Sequence, residues 1–283
     1  MAFSQRIPAS LDTNKYIPEI FSRNVLVALK NNLVVVPVVN HAYEGELSLG
    51  DTLYIPRSQE VTATEVTIGT EGVQSDPTTT ALTLTVNQYW EAPVTVDVVS
   101  RRQSQVNVLS LAEQESAYAI SKKIDSTLCA LFSPLNATTV RGTDGSAWTD
   151  NVLIAAVEEL DEENVPEENR VWIGDPSVKA DIMKIDKFVR ADYFASDAIP
   201  TGGFRKDIYG APLLVTNNLT AYSTGSYGVY MHRDAIAVII SQNLGSVMVE
   251  QPLKHQVVIN TDALWGVGEI RNLSGVPIYT RLA

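Results

Sequence analysis

Cysteine is nearly missing from this sequence: Cys129 is the only one in 283 residues, so no disulfide can close within the chain. Lysine is missing between Lys30 and Lys122, and Arg57 is the only basic residue between Tyr43 and Trp90. Basic residues are outnumbered overall, 21 against 33 acidic, for a net charge of -12. Affinity for nucleic acid comes mostly from cations that neutralise phosphates, so this balance argues against a nucleic-acid binder and for protein partners. No apolar run approaches the roughly 20 residues that span a bilayer. The opening MAFSQRIPAS lacks the charged-then-apolar pattern of an export signal. A reducing compartment is therefore expected, and the Asn-x-Ser/Thr acceptors at Asn136, Asn218 and Asn272 are read as chance matches.

Signatures of chemistry are equally scarce. The histidines His41, His232 and His255 are far apart, and none has a ligand-spaced neighbour. Neither a GxSxG elbow nor a Walker-type loop occurs. Gly266-Val267-Gly268 begins a dinucleotide fingerprint, but Arg271 stands at its third glycine position and no helix signal follows. Cys129 falls at an apolar helical position, where cysteine packs as a small hydrophobe. His232, Arg233 and Asp234 would alternate faces if they lay on a strand. The acids from Glu158 to Glu168 could furnish a carboxylate pair for glycoside hydrolysis; the plainer reading is a solvated charge run. No enzyme, cofactor or metal is expected.

What is present is enough apolar residue, 45%, for a substantial core. Asn107 to Phe132 lies in the longest stretch free of Pro and Gly and reads as one helix, about 40 Å long. Either Asn107 or the Ser110/Glu113 pair can cap it. Ala117, Ile120, Ile124, Leu128 and Leu131 stack on one face, Leu111, Tyr118 and Cys129 lie opposite, and Glu115, Lys122 and Asp125 mark the seams. The helix should be covered from two directions. Before it, Leu33 to Val39 reads as a strand in which Pro37 demands an edge position or an extended arm. Pro18 to Lys30 supports a short helix at best.

Between Tyr43 and Val99 the period changes to two. Leu53, Ile55, Val61 and Ala63, then Leu82, Leu84 and Val86, alternate with polar residues on either side of the turn-rich GTEGVQSDPTTT. This is a long hairpin with few large side chains beyond Tyr54, Tyr89 and Trp90. A two-stranded ribbon is marginal alone, so it must lean on a neighbouring subunit or fold back on its own domain. Pro93 to Val99 reads as a strand entering the long helix. Farther on, a second helix starts near Asp150 with Leu153, Ala156, Val157 and Leu160 on one face. Acids crowd its C-terminal end, where the dipole disfavours them. Val171 to Ile173 is a strand, and Asp175 caps a helix opening at Pro176. Thr201 to Gly203 breaks the chain, and the strand Leu213 to Thr216 follows. Further strands are expected at Tyr227–Met231, Ala235–Ser241, Val247–Val249, Val257–Asn260 and Leu264–Val267.

Several short motifs occur in a telling order: Pro18-Glu19-Ile20-Phe21 through Asn32-Leu33 to Tyr43-Glu44-Gly45-Glu46, Gly50-Asp51-Thr52 to Ile55-Pro56, and Tyr89 to Val99. After the helix ending Lys123-Ile124-Asp125 come Leu160-Asp161-Glu162-Glu163-Asn164-Val165-Pro166, Arg170, Asp175-Pro176, Asp207-Ile208-Tyr209-Gly210 and Asn217-Asn218-Leu219. This series, over nearly the whole chain, resembles the major capsid proteins of tailed bacteriophages, in the branch made without a fused scaffolding region. The resemblance implies an α+β fold with an N-terminal arm over 1–43, an extended loop hairpin over 44–92, a peripheral domain with the spine helix over 93–135 and 229–263, and an axial domain over 136–228 and 264–283.

The function so implied is self-assembly through pentamers and hexamers, by way of a procapsid, into an icosahedral shell. It encloses double-stranded DNA without sequence-specific binding, in a virion assembled in the host bacterial cytoplasm. No membrane is involved. Contacts between copies are expected around Phe21, Arg57, Glu65, Glu71 and Trp90, with a portal, decoration proteins and a separate scaffolding protein as further partners, since no fused scaffold fits before Pro18. Some relatives join subunits through a loop lysine; this loop has none, which implies non-covalent assembly. The competing readings are a nanocompartment shell around enzyme cargo and an acidic hydrolase.

Overall fold

The computed structural model describes residues 33–44, 50–58, 61, 63, 65, 68–69, 79–104, 107–136, 139–189 and 207–281. Phe21, Glu71, the short helix expected near Pro18 and the break at Thr201 lie outside them. In chain order, β1 (Thr52–Ser58) and β2 (Thr79–Thr85) form a hairpin, and β3 (Gln88–Asp97) leads through α1 (Val98–Gln103) into α2 (Val108–Ala130). There follow α3 (Asp150–Glu162), β4 (Arg170–Gly174), α4 (Pro176–Ile182), α5 (Asp186–Val189), β5 (Asp207–Ile208), β6 (Ala211–Val215) and β7 (Ala221–Tyr222). The chain closes with β8 (Gly225–His232), β9 (Ile236–Gln251), β10 (Gln256–Glu269) and β11 (Gly275–Tyr279). Beside the β1-β2 pair stand a three-stranded sheet, β3-β10-β9, and a six-stranded one ordered β11-β8-β4-β6-β5 with β7 on β8. The α+β expectation holds.

The long helix joins the two larger sheets. The Asn107 side chain accepts from the Ser110 backbone N–H at 3.3 Å, so of the two possible caps this one forms. Near its start Ala112 packs on Val96 and Ile259 of the three-stranded sheet, and Ser116 shares a 2.8 Å hydrogen bond with Thr261 of β10. Farther along, Ile120, Ile124 and Leu128 enter one core with Val171 and Ile173 of β4 and Val229 and Met231 of β8. Two different sheets thus cover the two ends of the helix; of the residues expected on its far side only Cys129 is buried, and Leu111 and Tyr118 are half-buried.

Asp125 corrects the sequence reading. Expected at a seam, it is fully buried. One carboxylate oxygen accepts the Val35 backbone N–H and the other the Asn218 side-chain amide, each at 2.9 Å. A buried charge needs such partners. Here they come from the N-terminal segment and from the loop after β6, so one side chain fastens three parts of the chain. Cys129, one turn on, is also fully buried, and burial, with Asp125 acting in the same sense, pushes its thiol well above the ordinary range. It packs as a hydrophobe, as expected.

The segment before the hairpin is also corrected. Val36–Val38 is a 3-10 turn rather than a strand, with Pro37 in its first turn, where a missing N–H is harmless. Val35 and Val39 are buried against α2 in the same chain. Beyond the turn, among the described residues before β1, only Asn40 pairs, in an isolated bridge with Ala237.

The six-stranded sheet is buried on both faces, which explains its nearly continuous apolar strands. Val171 and Ile173 point to α2; between them Trp172 points the other way, stacks on Tyr230 at 3.9 Å and meets Trp148 edge-on at 5.9 Å. Its indole N–H reaches the Ile208 carbonyl at 3.0 Å. Leu153, Ala156 and Leu160 of α3 and Val178 and Ile182 of α4 close this second core. Asp175 caps α4 as expected, accepting from the Val178 N–H at 3.1 Å. Asp207-Ile208-Tyr209-Gly210 is a tight hairpin whose two turn residues have φ of 49° and 83°, a geometry that favours glycine at the second.

The last quarter has fewer, longer strands than the sequence suggested. The four segments between Ala235 and Val267 merge into β9 and β10, and β11 was not anticipated. The sequence boundaries after residues 228 and 263 therefore fall inside β8 and β10, which run unbroken.

Candidate assembly surfaces

Local chemistry accounts for the acid-rich end of α3. Asn164, with φ of 54°, ends the helix in a left-handed residue, and the N–H groups of Val165 and Asn164 return to the carbonyls of Leu160 and Asp161 at 3.0 and 3.1 Å. Arg170 holds the following loop: it pairs with Asp161 at 2.7 Å and donates to the carbonyls of Val165 and Pro166. Glu159 turns inward to Arg141 and Asn136. Glu158, Glu162, Glu163, Glu167 and Glu168 face solvent. Two acids are thus taken by arginines and the others are solvated. His232, Arg233 and Asp234 lie at a 3-10 turn, where the His232 Nδ1 accepts from the Asp234 N–H at 3.1 Å. Burial lowers the pKa of that imidazole, Asp234 opposing.

The hairpin forms as expected, and the structure supplies its register. Leu53 lies opposite Leu84 and Ile55 opposite Leu82, so the alternating apolar residues of both arms share one face. Val61 and Ala63 lie beyond β1 and are exposed. At its base Leu84 and Val86 pack on Ala237 and Ile239 of β9. The crossing is close: a Cβ on Gly266 would stand 2.4 Å from the Thr85 carbonyl oxygen, and one on Gly268 2.3 Å from the Leu84 side chain. On the opposite face Tyr54 is 68% exposed, and beyond the strands Ile68 is fully so.

Of the expected contact residues, Arg57 lies on β1 and Glu65 beyond its end, both exposed. Arg57 lines a groove of about 160 Å³ at the base with Tyr43, Ile55, Asp234 and Arg271. Trp90 is elsewhere, on β3, half exposed, with the Lys123 ammonium of α2 4.2 Å from its ring centre. Sequence reading missed a further surface at the opposite end of the three-stranded sheet. Val247, Met248 and Val249 on its outer strand and Leu253 in the β9–β10 turn are exposed. Beside them an open groove of about 670 Å³ is lined by Val98, Arg101, Arg102, Pro252, His255 and Val257, among others. The adjacent arginines, in a sequence otherwise poor in base, were the available signal. Among the described residues no helix is long and apolar enough to cross a membrane.

A family described as "Phage capsid protein" matches residues 91–268. Comparison with curated protein sequences finds no match. Among solved structures, one from Mycobacterium phage Che8 superposes with a TM-score of 0.79 at 21% identity, covering 94% of this chain and 97% of the other. The capsid of cyanophage P-SCSP1u gives 0.77 at 15% identity, over 95% and 94% of the two chains. The mature capsid of bacteriophage PhiM1 gives 0.72 at 14%, over 93% and 92%. Identities this low establish a shared fold.

Proposed function

Because this chain belongs to the phage capsid protein family, we propose that it is the major subunit of an icosahedral virion shell, closed by a hairpin that reaches from each copy to the next. Its role is structural, in the capsid. Pentamers and hexamers of the chain surround double-stranded DNA, and a separate scaffolding protein guides their assembly in the host cytoplasm. A portal and decoration proteins complete the particle. The work is assembly rather than catalysis.

The observation that carries the strap is the uneven cover of β1 and β2. Their base packs on β9 and closely approaches the backbone of β10, whereas Tyr54 on the opposite face and Ile68 beyond the strands stand in solvent. A ribbon anchored at one end and bare at the other is poised for a heterologous contact, which generates closed shells when repeated around symmetry axes. The intervening loop has no lysine, which supports non-covalent contacts. The division into domains follows the sheets: the arm over 1–43, the hairpin of β1 and β2, a peripheral unit of α2 with β3, β9 and β10, and an axial unit around the six-stranded sheet. Phe21, Arg57, Glu65, Glu71 and Trp90 mark the segments that touch neighbours.

The test is sedimentation of the purified protein, alone and with a co-expressed scaffold, followed by electron microscopy. Closed shells tens of nanometres across are expected, in a size range set for a genome. Deleting residues 65–77 should leave a soluble subunit that cannot close shells; normal particles from that variant would remove the strap.

A further inference from the structure

We infer that His41 is a proton-operated clasp on the segment that leads into the hairpin: its imidazolium closes residues 36–44 into one loop, and loss of the proton opens the Glu44 end. The ring is held between two groups that only accept. Its Nε2 stands 2.6 Å from the Val36 carbonyl oxygen and its Nδ1 2.7 Å from a Glu44 carboxylate oxygen. A neutral imidazole has one N–H and one lone pair, so it can donate to only one of these and turns its lone pair on the other. Both contacts hold together only when both nitrogens carry hydrogen. Placing the second proton on the Glu44 carboxyl instead leaves the count the same, one more than a neutral ring and a carboxylate possess.

The surroundings fix one acceptor and free the other. Val36 opens the 3-10 turn, and Val35 and Val39 on either side of that turn are fully buried. The Val35 N–H is anchored on Asp125. On the far side of the turn the Asn40 backbone bonds to Ile236 and Val238, and its side-chain amide donates to Asp234 at 2.8 Å. The Val36 carbonyl therefore stays where it is. The Glu44 side chain is 36% exposed, and the Glu44 N–H reaches back to the His41 carbonyl at 3.1 Å. Once the ring is neutral, its single N–H remains with Val36 and the carboxylate leaves for solvent.

The other charged groups at this junction are Arg233, which donates to the Val39 carbonyl, Asp234, and Arg57 and Arg271 in the adjoining groove with Tyr43. Carboxylates, guanidinium groups and phenols keep their charge between about pH 5 and 8, and imidazoles do not. His232 acts in the opposite sense, because its Nδ1 accepts the Asp234 N–H and protonation would break that bond. Burial lowers the pKa of His232, which leaves the upper part of that range to His41. The closed clasp holds one proton more than the open one, so closure is complete at the acid end of the range and is lost as pH rises through it.

The experiment is hydrogen exchange of the full-length protein at pH 6 and pH 8, read as protection factors so that base catalysis of exchange cancels. Protection of the Glu44 amide should fall about fivefold from pH 6 to pH 8, while that of the Val35 amide stays constant. Glu44→Gln should abolish the pH dependence, because the new side-chain amide can donate to the neutral Nδ1. His41→Gln should abolish it as well. Equal protection of the unchanged protein at both pH values, or a fall of the same size in Glu44→Gln, overturns the clasp. Should a variant fail to fold, the unchanged protein labelled with 15N-histidine decides alone. Loss of the second ring proton of His41 and loss of Glu44 protection must then share one midpoint on a pH titration, and separate midpoints sink the proposal.

Discussion

The six-stranded sheet and the β1-β2 hairpin are both built of short strands, the sheet's rich in valine, isoleucine and tyrosine and the hairpin's in threonine and leucine, yet they complete themselves differently. In the sheet, Trp172 and Tyr230 stack on one face while Val171, Ile173 and Val229 fill the other, and helices from the same chain cover both. In the hairpin the cross-strand pairs are equally regular, but only Leu84 and Val86 at the base find deep cover. Regular pairing alone therefore does not make a stable unit; burial of at least one face does. Where the chain provides that burial itself the element is a foundation, and where it does not the element keeps an open face.

Four substitutions would break or sharpen this contrast. The largest effect is expected for Trp172→Ala, which empties the centre of the second core and should cost the isolated subunit about 3–5 kcal/mol in urea unfolding. A loss under about 1 kcal/mol would mean that the sheet is not the foundation described. Asp125→Ala removes the acceptor of the Val35 N–H and of the Asn218 amide. Orphaning both should cost about 2–4 kcal/mol, with hydrogen exchange at the Val35 amide speeding up first. Unchanged protection there would show that the valines hold the segment without the carboxylate.

Asp181 offers a pH handle on the same half of the molecule. It accepts from Arg281 at 2.8 to 3.1 Å and from Lys184 at 3.0 Å. Burial by itself would raise its pKa, but the Arg281 fork and then Lys184 outweigh this and hold it below the usual carboxylate range. The unfolded chain therefore binds this proton more readily. The contribution is fully present above the ordinary value of about 3.9 and fades as pH falls through the lower folded value. Asp181→Asn should lower stability near neutral pH by about 1–3 kcal/mol and flatten the decline below pH 4 in thermal melts. An equally steep acid decline in the variant would point to other groups. The smallest effect on the subunit is expected in the hairpin: Tyr54→Ser should shift unfolding by under about 0.5 kcal/mol while reducing the yield of closed shells. A destabilised subunit would mean that the hairpin leans on its own chain after all.

Of the candidate interface, the hairpin was legible because alternation and turn residues are local, and with it came Arg57 and Glu65. The arginine groove was not. Arg101 and Arg102 become a site only when a turn some 150 residues later lies beside them, a pairing that the register of β3 on β10 dictates, from Gln256 opposite Asp97 onward. Glu158 to Glu168 looked like one charge run in sequence, but helix geometry sorted it into two arginine-bound acids and a solvated face.

The sequence by itself determined α2, α3, the Asp175 cap on α4 and the hairpin, because each is satisfied by hydrogen bonds and side-chain periodicity within a few residues. Only the tertiary structure decided that Leu33 to Val39 would turn rather than extend, that four short strand signals would fuse into β9 and β10, and that Asp125 would be buried. Its two partners lie 90 and 93 residues away in the chain. A buried charge or a strand edge takes its place from what packs against it, and no local pattern contains that partner.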